Sequence, residues 1–476
     1  MDDDSVNSPQ PLESIPDGLD LTVFGDIVYP KDAETVIWPG VNIRTTLPFV
    51  AGSPAIPNIL FEDAAHVKKL SETVQTEASW IVEMRYESGD DEEFARRIRV
   101  ELCRNHVVVI KGHPFEPTPL TASDIRKTFG IEETRAVVSS DAILRSKPNA
   151  QMIHVAQTMQ EFCDATANHE IVRCLLDLPN SYVHPHRFLL ALDDGRKARD
   201  QSKDYFHHRQ YNPTDIDRAM LWTLIHHGMY HTYIHHDAAG YATWVQIRSG
   251  MKVWVVVRPS GFEDVKCRSD IRRSLQTIAQ DSITFDKNAV RIAIYATPGD
   301  IIIQPPGTLH EVYTPVPTVA IGGHFYSLDC LYLTEMNRHY DLDYPDLSNN
   351  DHPHVYQLLV LMMALLPLQK GRQLSLKNLQ ALVTMVKNPK RYQVNVLADP
   401  DAMVLKIKGK FDDRVFAETV AEALLSDIIC KLTVGSFSKN KDRKGDYLFH
   451  QLTGLDNAGE IVDWESALAR FQANGP

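Results

Sequence analysis

Apolar positions near the middle of the chain change their spacing twice, and each change marks a change of structure. Phe94, Ile98 and Leu102 fall at i, i+4 and i+8, which predicts a helix that Asn105 ends. His106 to Ile110 follows as a continuous apolar run and reads as a buried strand. Ser123 is placed to cap a short helix that stops at Gly130. From Leu221 to Phe325 the helical spacing is gone. Short runs there (Thr243 to Ile247, Val253 to Val257, Arg291 to Tyr295, Ile301 to Ile303, Val319 to Ile321) are separated by Gly, Pro and Asp. Many short strands with such punctuation indicate a sandwich, jelly roll or barrel. Residues 262–290 interrupt them with a polar, partly helical insert. After Leu328 the helical spacing returns. Ser375 caps a stripe of Leu376, Leu379, Leu382, Val383 and Val386 that Asn388-Pro389 stops. Asp412 or Asp413 caps a second helix, with Val415, Phe416, Val420, Leu424, Ile428 and Leu432 inward and Gly435 at its end.

The expected organisation has five parts. Residues 1–20 are an acidic tail rich in Ser and Pro, expected to be disordered. Residues 21–89 carry no clear pattern. Residues 90–220 supply helices and strands that support the core at 221–330. Residues 331–476 form a helical region whose apolar stripes predict packing. The stretch Ser438 to Lys444 is weakly basic and reads as a solvated loop.

Composition narrows the function. With 43% hydrophobic and 23% charged residues, the 476-residue chain can bury a core. A net charge of −13 argues against holding nucleic acid mainly by its phosphates, although a local basic groove is compatible with it. The N-terminus has no basic and apolar pair of regions, so no secretory signal is expected. The run Leu358 to Leu366 is far short of the roughly 20 residues of a membrane span. None of the 6 cysteines forms a CxxC pair, which disfavours zinc ribbons and thioredoxin chemistry and fits a reducing intracellular compartment. Histidine is the unusual feature of the composition: 9 of the 20 lie between His184 and His236.

Two of the 20 histidines, His235 and His310, bear on chemistry. In Tyr233-Ile234-His235-His236-Asp237, His235 and Asp237 are two apart, so on a strand both leave one face. Together they are two thirds of a facial triad of two histidines and one carboxylate. His310, after an apolar strand and the tight turn Pro305-Pro306-Gly307, is the candidate third ligand. A lone His-x-Asp arises by chance on polar strands. Paired with the turn and His310, and followed by Lys252, it points to a metal. Two histidines and a carboxylate leave three adjacent positions open, which favours iron with a cosubstrate and O2 over zinc. His236 alternates to the opposite face.

These residues resemble those of a known family. Gly299-x5-Pro305-x-Gly307-x2-His310 resembles the second cupin motif. Thr232, His235-x-Asp237, Trp244 and Gly250-x-Lys252-Val253-Trp254, followed by Pro306 to Pro315 and Gly322-Gly323-His324-Phe325, resemble the two metal-binding segments of the JmjC dioxygenases. Within them the pattern is most similar to histone lysine demethylases whose relatives carry plant-homeodomain or CxxC zinc modules. The resemblance is specific over about residues 220–330. It implies an α+β fold, a double-stranded β-helix of jelly-roll type with flanking helices. It implies Fe(II) on His235, Asp237 and His310, and O2 and 2-oxoglutarate as cosubstrates, the latter's far carboxylate held by Lys252 and Thr232. It also implies N-methyl-lysine demethylation on a histone tail, with release of formaldehyde, succinate and CO2, and a nuclear location. For Thr232 and His235 to share a face, the strand between them must bulge.

Two positions depart from the pattern. Val245 stands where close relatives usually have a tyrosine near 2-oxoglutarate, and His324 where they have asparagine. Both put substrate identity in question, and neither is a ligand. A JmjC protein hydroxylase, a silent JmjC scaffold, and a zinc or manganese cupin without cosubstrate are the competing readings. The last would leave Lys252 without a role.

Overall fold

The computed structural model describes residues 18–392 except 26, 32, 50–59, 146–151, 181, 206–213, 261–288, 345–346, 349–351, 353 and 367–373; beyond 392 it describes Ala421 and Ile461–Val462. The N-terminal tail, the insert, the helix expected after Asp412 and the basic stretch at Ser438 lie wholly or largely outside the described residues.

Two hairpins come first: Val23–Phe24 (β1) with Ile27–Val28 (β2), and Thr35–Trp38 (β3) with Ile43–Thr46 (β4). Ile81–Arg85 (β5), Val107–Lys111 (β6), Ala136–Asp141 (β7), His154–Thr158 (β8) and Arg173–Pro179 (β9) follow. Then come Trp222–His226 (β10), Tyr230–His235 (β11), Ala242–Ser249 (β12) and Lys252–Pro259 (β13). Ala289–Ala296 (β14), Ile301–Gln304 (β15), Leu309–Thr314 (β16) and Thr318–Phe325 (β17) complete the core strands.

The fold is mixed α+β, built on a large sheet and a smaller one. The large sheet has the order β5-β6-β15-β12-β17-β10-β9-β7-β8, and the small sheet β11-β16-β13-β14. Within both, the pairings are antiparallel except β5 with β6. Val109, Trp222, Val245, Ile302 and Ala320 from the large sheet pack with Trp254, Val256, Ile294 and Val312 from the small one. This is the arrangement of a β-sandwich.

Both sheets are also covered on their outer faces. Phe94, Ile98, Ile125 and Phe188 pack on the large sheet, and Trp38, Val67 and Leu70 belong to the cluster outside the small sheet. Burial on both sides explains why β6 and the Val253 to Val257 part of β13 read as continuous apolar runs rather than alternating ones.

The helices form where their stripes predict them. Asp90 caps helix Asp91–Cys103, accepting from the amides of Glu92 and Glu93. For helix Ala122–Phe129 the cap is Thr121, not Ser123. The extended Thr121 accepts from the Asp124 amide, while Ser123 already lies inside the first turn. Helix Leu376–Lys387 starts on Ser375 and ends at Asn388. The apolar run Leu358 to Leu366 lies almost entirely in helix Val355–Leu365, and all its residues are buried. Among the described residues, no helix is long and apolar enough to cross a membrane.

Candidate metal centre

One bulge in β11 aims the first candidate ligand. Tyr230, His231 and Thr232 pair with Thr314, Tyr313 and Val312, but the next matched pair is His235 with His310. Three steps on β11 thus oppose two on β16, which is one extra residue. Directly opposed residues share a face, so Thr232 and His235 both follow the inward side of Val312 and His310. The family resemblance at Thr232 implied a bulge or bend there, and the register of β11 shifts between Thr232 and His235. Asp237 lies just past the strand end and leads into the Ala238–Gly240 turn, still in extended backbone.

The side chains of His235, Asp237 and His310 converge, with one donor atom from each within 4.8 Å of the others. The imidazole centroids of His235 and His310 are 4.3 Å apart. His235 Nδ1 lies 2.7 Å from the Tyr233 carbonyl and His310 Nδ1 lies 3.0 Å from the Thr308 carbonyl. A carbonyl only accepts, so each Nδ1 carries the hydrogen and each Nε2 keeps a free lone pair. This is the tautomer a metal-binding histidine needs. The Trp254 indole stacks on His310 at 4.9 Å and donates to Gln304 Oε1 at 2.8 Å.

Burial pushes His310 down to about 3, and the facing His235 adds to the effect. Burial also lowers His235, against the pull of Asp237. For Asp237, burial favours the neutral acid. His324, His310 and His235, together with the Thr243 hydroxyl, outweigh it and hold the carboxyl well below the usual carboxylate range. Neutral imidazoles beside a carboxylate form a donor set suited to a divalent ion such as Fe(II).

Four further residues support the ligands, and motif spacing did not single them out for that role. Thr243 donates to Asp237 Oδ2, and its hydroxyl lies 2.8 Å from His324 Nδ1. His324 is buried and joined to the carboxylate through Thr243, so it braces a candidate ligand. Asn337, on helix Leu331–Asp343, donates to the Asp237 carbonyl at 3.2 Å. From the same helix Asp341 accepts from the Ala239 amide at 3.1 Å, and it lies 3.5 Å from His236. The helix leaves no room for a side chain at Gly240 and little at Gly307. A Cβ on Gly240 would sit 2.5 Å from the Thr334 carbonyl, and one on Gly307 would sit 3.2 Å from the Asn337 amide oxygen. Both glycines have positive φ.

Lys252 is 1% exposed, in the same row of β13 as the inward Trp254. Its ammonium donates to Thr314 Oγ1 at 2.9 Å. Among the described residues no carboxylate reaches it, and burial pushes it down to about 7. Val245 is buried in the inter-sheet cluster between Ile302 and Gly322. It offers no hydrogen bond there.

The other histidines do not form one site. His227 sits between the carbonyls of Phe162 and Ile171. His186 packs on His113 with centroids 3.7 Å apart. His66, His231 and Glu311 form a separate group. His207 and His208 lie outside the described residues.

Comparison with known proteins agrees with the motifs. The chain is 30% identical over 117 residues to JmjC domain-containing histone demethylation protein 1 of Kluyveromyces lactis, covering 24% of each. It is 26% identical over 133 residues to the protein of the same name from Caenorhabditis briggsae, covering 27% of this chain and 12% of that protein. The matches thus span a quarter or less of either relative's length. No family model matches the chain. At this modest identity and partial coverage, the two relatives support placing the chain in the JmjC histone demethylase family.

Proposed function

We propose that the chain is a Fe(II)- and 2-oxoglutarate-dependent oxygenase of the JmjC type that removes methyl groups from lysine on a histone tail. The observation that carries this reading is Lys252, an ammonium buried between the sheets without a carboxylate partner among the described residues. Such a charge is costly unless an anion meets it. A dicarboxylate with one end at Lys252 and Thr314 supplies that anion. The strand orders β15-β12-β17-β10 and β11-β16-β13-β14 support a jelly-roll reading of the core.

In this reading His235, Asp237 and His310 hold the iron. Thr243, backed by His324, fixes the carboxylate, Asn337 holds the Asp237 backbone carbonyl, and Trp254 fixes the His310 ring. Lys252, with Thr314 and Thr232, orients the cosubstrate. The apolar walls, Val245 and Ile302 among them, exclude water. Bound iron with O2 and 2-oxoglutarate supplies an oxidant able to hydroxylate a C–H bond. A hydroxylated N-methyl group leaves as formaldehyde, with succinate and CO2 from the cosubstrate. A nuclear location follows from a histone substrate. Val245 and His324 depart from the family pattern near the reacting space, so hydroxylation of a carbon side chain is the second reading.

Formaldehyde release from methylated histone peptides, with mass spectrometry for +16 products, separates the two. His235→Ala or Asp237→Ala is expected to abolish iron-dependent succinate formation. Turnover at the parent rate in either variant would remove the ligand assignment. Absence of any turnover in the parent chain would promote the silent scaffold.

A further inference from the structure

We propose a second divalent-cation site, of the kind zinc prefers, formed by His66, His231 and Glu311 on the outer side of the small sheet. The strand alternation that aims His310 inward turns its neighbour Glu311 outward. His231 pairs with Tyr313, the outward residue two further along β16. Helix Phe61–Thr73 lies over this face and brings His66 to it. One donor atom from each of the three falls within 4.8 Å of the others, the same criterion the inner group meets.

The detail that calls for an ion is His231. Its side chain is fully buried, and neither ring nitrogen has a hydrogen-bond partner among the described residues. Its Nε2 faces Glu311 Oε2 at 3.6 Å, beyond hydrogen-bond reach. A buried imidazole left in this state is costly, because nothing replaces the hydrogen bonds it made to water. That separation is instead close to the edge of a tetrahedron with bonds of about 2.0–2.1 Å, whose ligand atoms stand about 3.3–3.4 Å apart.

His66 Nε2 approaches the same oxygen at 2.7 Å and needs only a small outward shift. It is on a helix and partly exposed, at 11%, which provides an entry path. The carboxylate's other oxygen, Oε1, faces Arg291 Nε at 3.8 Å. Glu311 is thus held from behind, while Oε2 is turned to the histidines. Two imidazoles and one carboxylate oxygen leave a fourth position open, and the donor types suit zinc better than calcium or magnesium.

The test uses the full 476-residue chain, stripped with a chelator and titrated with Zn²⁺ against a competing chromophoric chelator. The parent is expected to bind two ions, and Asp237→Ala one. Adding His66→Gln or His231→Phe to that background is expected to weaken the remaining site at least about 100-fold. His66 lies at a partly exposed helical position, so His66→Gln keeps the test open if the His231 variant fails to fold. Retention of the second ion at unchanged affinity in the folded His66→Gln variant would overturn the proposal. So would a parent that binds one ion and loses it with Asp237→Ala. A parent that binds one ion, lost with His66→Gln and kept with Asp237→Ala, supports this site and counts against the inner one.

Discussion

At the residue scale, Lys252 is a lysine buried in the core. Its ammonium is pushed down to about 7 by burial, while an exposed lysine titrates near 10.4. Between those values the unfolded chain holds the proton and the ligand-free fold does not. Stability of the ligand-free protein therefore rises with pH from about 7 to about 10. An anion reverses this locally, because it needs the charged form. Binding of 2-oxoglutarate at pH 8 is expected to take up close to one proton, measurable by anaerobic calorimetry in buffers of different ionisation enthalpy. Lys252→Met is expected to remove the uptake and weaken binding at least about 30-fold, the equivalent of 2 kcal/mol for a lost buried charge pair. Unchanged affinity and uptake in that variant would detach the lysine from the anion.

At the scale of elements, helix Leu331–Asp343 does more than cover the core. Its Thr334, Asn337 and Asp341 touch the two loops that carry Asp237 and precede His310. Asn337→Ala removes the bond to the Asp237 carbonyl while leaving every candidate ligand in place. Iron affinity, read by competition with a chelator, is expected to fall about 10-fold, the low end for a residue that orients a ligand without binding the metal. A folded variant with parent affinity would reduce the helix to packing. The texture after Leu328 marked this region as helical. It did not mark Asn337, because a contact about 100 residues away in the chain leaves no local period.

At the scale of the whole molecule, the −13 charge sets the long-range field. A lysine-rich peptide approaches such a surface with favourable steering that salt weakens, since the screening length falls from about 10 Å at 0.1 M to about 3 Å at 1 M. KM for a methylated histone peptide is expected to rise several-fold between about 0.05 and 0.3 M salt, with kcat little changed. A salt-independent KM would place recognition in short-range contacts alone.

Much of the strand-rich core was legible from the sequence, because apolar runs, turn residues and caps act within a few positions of one another. The nearness of His235 to Asp237 and the Gly307 turn before His310 were legible for the same reason, although Asp237 lies past the strand end. The sheet partners were not. Neither were the extra strands β7 to β9, the brace through Thr243 and His324, or the Thr314 hydroxyl that receives Lys252. The bulge in β11 marks the boundary between the two kinds of information. The resemblance at Thr232 implied one before His235, which spacing alone does not show, and only pairing with β16 puts both residues on one face. That pairing also turns His310 and Glu311, neighbours in the chain, to opposite sides of a sheet. Alternation is local and can be read from the sequence, whereas which residues meet on each face is decided by strands and helices distant in the chain.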